Sequence, residues 1–91
     1  MGPARAQANA AKHGVSFDEG VTVFLDGDAL DGPDLQHSKV EMRFLRLGRA
    51  ADGRVLMVAC TLRRSGDAAT MRIISARRAS RRERAAYDAQ D

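Results

Sequence analysis

The sequence predicts a small α+β domain in which helices lie on an antiparallel sheet. Two S-x-x-E motifs, beginning at Ser16 and Ser80, are typical of helix starts, and residues 40–76 carry the alternating and apolar runs typical of strands. A length of 91 residues is enough for one domain with a thin core, so we expect the range 1–91 to form one unit. We expect N-terminal helices, then three to four strands in a meander, and then a C-terminal helix.

The N-terminal part predicts two helices. Residues 3–13 are rich in alanine, and Gly14 is a natural helix end. Ser16 and Glu19 then have the spacing of a capping box, which predicts a second helix. Its apolar face would be formed by residues spaced three or four apart, namely Phe17, Val21, Phe24 and Leu25.

The middle of the chain predicts strands. A brief strand is expected at Ala29 and Leu30, between turn-forming residues. Residues 40–47 alternate as a half-buried strand should, and the change of phase at residues 45–47 indicates either a bulge or burial on both faces. Residues 54–62 are the most apolar run and predict a central strand covered on both faces.

The last third predicts a strand followed by a helix. We expect a polar loop at residues 63–69 and a final strand at residues 71–76, with Arg72 on the opposite face from Ser75 by the period of two. Ser80 and Glu83 form a second capping-box pattern that starts the final helix.

The composition favours an anionic partner. The formal charge is +3, and the cationic excess is almost wholly arginine because Lys12 and Lys39 are the only lysines. Arginine suits phosphate because its planar guanidinium donates two parallel hydrogen bonds, although a high-GC genome would also favour arginine codons. The single Cys60 excludes an intramolecular disulfide and points to a reducing cytoplasm. No signal peptide or membrane span is expected.

Three segments resemble the BrnT toxins of bacterial type II toxin-antitoxin systems. They read KHGVSFDEGVTVFLD (Lys12–Asp26), HSKVEMRF (His37–Phe44) and RIISARRASRRERAAY (Arg72–Tyr87). The resemblance implies a RelE-like fold and a ribonuclease that arrests translation. It also implies a BrnA antitoxin with a ribbon-helix-helix DNA-binding domain, and a complex of the two that represses its own operon.

The sequence departs from that family's pattern at three places. Met1 and Gly2 stand where members commonly have a short strand, so this first strand is expected to be missing. Leu62 follows Thr61 where an acidic residue is frequent, and the loop at residues 64–70 is longer than usual. Leu62 and the missing first strand favour, as a rival, a catalytically degenerate member that acts only as antitoxin partner and corepressor.

Metal-independent RNA cleavage needs a base, an acid and positive charge on the phosphate. The proton-transfer candidates are His37 and Glu41, and the charge candidates are Arg63, Arg72 and Arg77. The simpler explanations are a surface-loop histidine without a task and an ion pair between Glu41 and a neighbouring arginine. Neither the histidines nor Cys60 has metal-ligand spacing, so we predict no metal and no cofactor.

The remaining basic residues predict contact surfaces. RNA contact is assigned to Lys12, Arg43, Arg78 and Arg81, and antitoxin contact to Arg82, Arg84 and Tyr87. The helix arginines suit a solvated face opposite an acidic partner better than they suit catalysis. The sequence thus predicts a ribonuclease toxin bound by an antitoxin, with a degenerate member or a non-catalytic RNA-binding module as the alternatives.

Overall fold

A computed structural model describes residues 3–34 and 43–90, with side chains at residues 7–34, 43–62 and 66–90. The predicted α+β class is confirmed. The helices are α1 (Pro3–His13), α2 (Phe17–Thr22), which runs into a 3-10 turn (Val23–Leu25), and α3 (Arg81–Asp88). The strands are β1 (Leu30–Pro33), β2 (Arg43–Arg49), β3 (Val55–Ser65) and β4 (Ala68–Arg78). No helix in this part of the chain is long and apolar enough to cross a membrane.

The four strands form the predicted antiparallel meander, in the order β1-β2-β3-β4. The polar loop predicted at residues 63–69 is wrong. Strand β3 continues to Ser65, and Gly66, with φ +61°, and Asp67 make a tight turn into β4. Glycine adopts this left-handed backbone without steric cost, so the hairpin closes over two residues and both strands extend to it.

Helices α1 and α2 cover one face of the sheet, hereafter the covered face. Gly20 brings α2 close to the strands, since an added Cβ there would lie 3.1 Å from the Ala76 Cβ. Gly48 in β2 makes a similar close approach, and an added Cβ would lie 2.7 Å from Val23 Cγ1. The buried cluster between helices and sheet comprises Val15, Phe17, Val23, Ala50, Leu56, Val58, Ile73 and Ala76.

The apolar face predicted for α2 is partly wrong. Val21 is 51% exposed and Leu25 is 86% exposed, while Phe17, Gly20 and Val23 are buried. The glycine decides this outcome, because its missing side chain lets the backbone of α2 contact the sheet and turns the larger residues outward. The Ser16 cap is confirmed, with the Glu19 amide donating to Ser16 Oγ at 3.1 Å.

Helix α3 covers only one end of the other face, hereafter the open face. Tyr87 packs there with Leu47 and Val55. The phenol O–H of Tyr87 also donates to Asp26 Oδ2 at 2.5 Å, which ties α3 to the chain after α2. Strand β2 pairs with β3 without a bulge, so the change of phase at residues 45–47 does not mark one. Leu47 is buried beneath α3, whereas Leu45 on the same face is only half-buried.

Helix α1 also contacts the outer edge of β4. The buried Asn9 side chain donates from Nδ2 to the carbonyl oxygens of Val15 and Ala76, both at 2.8 Å. Its Oδ1 accepts from the Ala76 amide at 3.1 Å. One asparagine therefore satisfies both backbone groups of Ala76 that face away from β3.

Candidate functional site

A groove of about 370 Å³ lies on the open face, beyond the end that α3 covers. Within the part of the chain that the structure describes, its polar groups come from two arginines, one carboxylate and one hydroxyl, and they surround an apolar floor. The lining residues are Asp34, Arg43, Leu45, Met57, Ala59, Ile74, Ser75 and Arg77. This groove is the candidate functional site.

Strand register places the basic side chains around the groove. Arg43 begins β2 opposite Thr61 of β3, and Thr61 is in turn opposite Arg72 of β4. Arg77 lies opposite Met57, four residues before Thr61. At 3.3 Å per residue, that row is therefore about 13 Å along the sheet from the row that holds Arg43 and Arg72.

A β-bulge brings Arg72 to the same face as Arg77. Ser75 pairs with Ala59 while Ile73 pairs with Cys60, so Ile74 is an extra residue on β4. Strict alternation had predicted Arg72 and Ser75 on opposite faces, and this prediction is wrong because the extra residue reverses the phase. Ile73 packs into the covered face, and the register places the half-buried Arg72 on the open face.

An ion pair with Glu83 fixes Arg77 at the groove. The Nη1 and Nη2 groups of Arg77 donate to Glu83 Oε1 and Oε2 at 2.7 and 2.9 Å. The Arg77 hydrogen bonds lower the pKa of Glu83 to about 2, and the same pairing raises the pKa of Arg77 above its ordinary value. Glu83 also completes the predicted capping box of α3, because its Oε1 accepts from the Ser80 amide at 2.8 Å.

Several predicted residues lie away from the groove or outside the described chain. Lys12 is exposed in the last turn of α1, and Arg78 pairs with Leu56 and so belongs to the covered face. Arg63 lies in β3 opposite Thr70, and only its backbone is described. His37 and Glu41 lie outside the described residues.

The helix residues divide into two groups. Arg81, Arg82 and Arg84 are exposed on α3, where Arg84 Nε lies 4.0 Å from Asp88 Oδ2. Tyr87 was predicted to contact an antitoxin, but it is only 7% exposed and packs in the core. Its hydrogen bond to Asp26 raises the pKa of the phenol and lowers that of the carboxyl, which favours a packing role.

Two polar residues of the groove, Asp34 and Ser75, are not among the site residues predicted from the sequence. Asp34 belongs to the Asp-Gly-Pro-Asp stretch, which predicts only a turn. Ser75 joins the groove because of the bulge beside it. No local sequence pattern identifies either residue, because each comes to line the groove only through pairing between strands that are distant in the chain.

The groove is chemically suited to a phosphodiester. Arg43 and Arg77 supply guanidinium groups that bind phosphate oxygens, Asp34 supplies a carboxylate, and the apolar floor suits the ribose and base. Among residues 3–34 and 43–90, no group of three or more His, Cys, Asp or Glu side chains is arranged to hold a metal ion.

Comparison with known families identifies one match. The model of a family described as "Ribonuclease toxin, BrnT, of type II toxin-antitoxin system" matches residues 2–83. This range contains all four strands, the whole groove and Glu83. No curated protein matches the chain.

Proposed function

The chain belongs to the BrnT family of ribonuclease toxins of type II toxin-antitoxin systems, and from this membership we propose that its open-face groove binds and cleaves RNA without a metal ion. The observation that carries the proposal is the convergence of Arg43, Arg72 and Arg77 on one face of the sheet. Cations held in fixed positions lower the free energy of the transition state because they stabilise the charge that develops on the phosphate.

The proposed reaction is transfer of the phosphoryl group to the neighbouring 2′-oxygen. The 2′-oxygen attacks phosphorus while a base takes its proton, and the bond to the 5′-oxygen breaks as an acid protonates that oxygen. The products are a 2′,3′-cyclic phosphate and a 5′-hydroxyl end. We propose His37 or Glu41 for proton transfer, and the groove adds Asp34 as a third candidate.

The arginines have separate proposed tasks. Arg77, with Arg72 and Arg63 farther along the sheet, would bind phosphates of the RNA and the charge that develops on them, and Arg43 would bind RNA at the other side of the groove. Arg81, at the start of α3, would contact RNA beyond Arg77. Lys12 and Arg78 lie on the covered side, so their proposed RNA contacts would need an RNA that passes round the sheet.

A type II toxin has a protein antitoxin as its partner. We propose a BrnA-like antitoxin whose ribbon-helix-helix domain takes the complex to operator DNA, all in the cytoplasm. Arg82 and Arg84 are exposed on α3 and suit an acidic antitoxin segment. By covering the helix beside Arg77, such a segment would close the groove to RNA.

The test is cleavage of a defined RNA by the purified chain, with and without EDTA. We expect cleavage to persist in EDTA and to leave 2′,3′-cyclic phosphate ends. The variant Arg72→Ala should slow it, whereas Glu19→Gln, on the covered side, should not. Intact RNA with a folded wild-type chain would overturn the enzyme proposal, and cleavage that EDTA abolishes would overturn the metal-free mechanism.

A second candidate is a degenerate toxin that acts only as antitoxin partner and corepressor. The observation that favours it is the neutralisation of Arg77 by Glu83, together with Leu62 at a place where the family often has an acid. Induction of the chain alone separates the two functions. Normal growth and intact cellular RNA, together with tight antitoxin binding, would establish the corepressor.

A further inference from the structure

The ion pair between Arg77 and Glu83 leaves one edge of the guanidinium available. Glu83 accepts from Nη1 and Nη2, which is the end of the group, and Nη1 also donates to the Arg78 carbonyl oxygen at 3.3 Å. Nε and the second N–H of Nη2 have no partner among the described residues. These two donors form the side edge of the guanidinium, which can also bind a phosphate with two parallel hydrogen bonds.

We propose that Glu83 is a positioning residue, which holds Arg77 so that this side edge faces a phosphate in the groove. The inference rests on the proposed function of the groove. Arg77 lines the groove, and its side chain is 41% exposed, so the guanidinium is accessible while paired. An unpaired arginine on this open face would rotate about its long side chain and lose entropy on binding phosphate. Two parallel bonds to Glu83 fix the guanidinium plane in advance.

Glu83 is itself held in place by α3. Its Oε1 accepts from the Ser80 amide at 2.8 Å, and its own amide donates to Ser80 Oγ at 3.2 Å. Tyr87 anchors the same helix through Asp26 and the core. Arg77 is thus aligned by a helix whose other end is packed in the protein interior.

The chain contains a matched pair that serves as a control. Glu19 occupies the same position in the first S-x-x-E motif as Glu83 does in the second, and it also pairs with a strand-end arginine, Arg54. Arg54 pairs with Asp52 as well, and these residues lie beside α2, away from the groove. Removing the carboxylate at Glu19 therefore reproduces the charge change without touching the groove.

The experiment compares Glu83→Gln, Glu19→Gln and Ser80→Ala in RNA cleavage, with kcat and KM measured separately. Gln at position 83 can still cap α3 but cannot accept two bonds from Arg77. We expect kcat/KM to fall about tenfold to a hundredfold in Glu83→Gln, by analogy with other small misplacements of catalytic groups. Glu19→Gln should change kcat/KM by about twofold or less, because distant sites act independently. Ser80→Ala removes the Oγ acceptor of the cap but keeps both the backbone amide bond to Glu83 Oε1 and the ion pair, so its activity should stay near that of the wild type.

Two outcomes would overturn the proposal. Activity of Glu83→Gln at or above that of the wild type would show that the carboxylate competes with phosphate for Arg77. An equal loss in Ser80→Ala and Glu83→Gln would show that Glu83 acts only through the helix cap.

A second measurement does not depend on RNA cleavage. The Arg77 Nε–H signal in nuclear magnetic resonance should report hindered rotation of the guanidinium in the wild type and Ser80→Ala, and free rotation in Glu83→Gln. Free rotation in the wild type would overturn the proposal even if RNA is cleaved. A wild-type chain with a fixed guanidinium and no cleavage would instead contradict the proposed function and leave the alignment intact.

Discussion

The two faces of the sheet differ in how completely helices cover them. On the covered face, α2 and the 3-10 turn after it pack on the strands and bury the core, and Gly20 and Gly48 allow backbone and side chains to approach closely. On the open face, α3 covers one end and leaves the groove at the other. The same strands therefore provide a core on one side and a groove with polar residues on the other.

The two S-x-x-E motifs show the same difference at the level of single residues. Each begins a helix, and each places its glutamate against an arginine outside that helix: Arg54, which directly precedes β3, in the first motif, and Arg77 of β4 in the second. Arg54 pairs with both Glu19 and Asp52, whereas Arg77 keeps an edge beside the groove with which no described residue pairs. The same local motif is thus structural on one face and available for function on the other.

The largest expected effect separates the two arginines. Arg77→Gln should lower the rate of RNA cleavage about a hundredfold, the cost of losing a donor to transition-state charge. Arg54→Gln should lower it by about twofold or less, because it lies away from the groove. Initial rates, with circular dichroism to confirm folding, measure both. Equal losses in the two variants would mean that only net charge matters.

The next effect concerns the packing of the covered face. Gly48→Ala should lower the free energy of unfolding by about 1–3 kcal/mol, since its Cβ would lie 2.7 Å from Val23 Cγ1. Gly32→Ala in β1 is the control, because an added Cβ there has no neighbour within 4 Å. Urea unfolding measures both variants. If Gly48→Ala is as stable as Gly32→Ala, the close approach of Val23 to β2 is refuted.

The helix caps should have smaller and matched effects on stability. Ser16→Ala and Ser80→Ala each remove a hydroxyl that accepts an amide hydrogen bond, so each should cost about 1 kcal/mol in thermal or urea unfolding. Asparagine at either position should restore most of the loss, since its side chain also caps helices. A loss at only one site would show that the two motifs are not equivalent.

The smallest effect is the pH dependence of the Arg77–Glu83 pair. The pKa of Glu83 falls from 4.5 to about 2 in the folded chain, chiefly through the Arg77 hydrogen bonds. The stabilisation is therefore present above pH 4.5 and lost as the pH falls towards 2. Because Arg77 is 41% exposed, solvent screening limits it to about 1 kcal/mol. The free energies of unfolding of the wild type and Glu83→Gln, measured between pH 2 and pH 7, should converge at low pH. A constant difference across this range would contradict the predicted pH dependence.

Local sequence patterns were enough to predict most of the fold. The S-x-x-E spacing identified both capped helices, and apolar periodicity identified the central strand and the meander. These features depend on residues close together in the chain. The exposed Val21 and Leu25 were mispredicted because the close approach of Gly20 to Ala76 joins parts of the chain that are far apart.

The candidate site was less predictable for the same reason. The bulge at Ile74 is a property of the register between β3 and β4, and it decides that Arg72 shares a face with Arg77. The pairing of Arg77 with Glu83 likewise required the orientation of α3 relative to β4. Among the described residues, only Arg43 and Arg77 of those predicted for chemistry or RNA contact line the groove, and the proposed roles of His37 and Glu41 stay predictions.

The contact between Asn9 and Ala76 has a consequence for self-association. A side-chain amide offers the same donor and acceptor as a peptide group, so Asn9 takes the place that a neighbouring strand would occupy. A second chain that extended the sheet at this point would first have to displace the buried Asn9 side chain. The Asn9 side chain thus blocks the addition of another strand at Ala76, which disfavours aggregation through this part of the sheet.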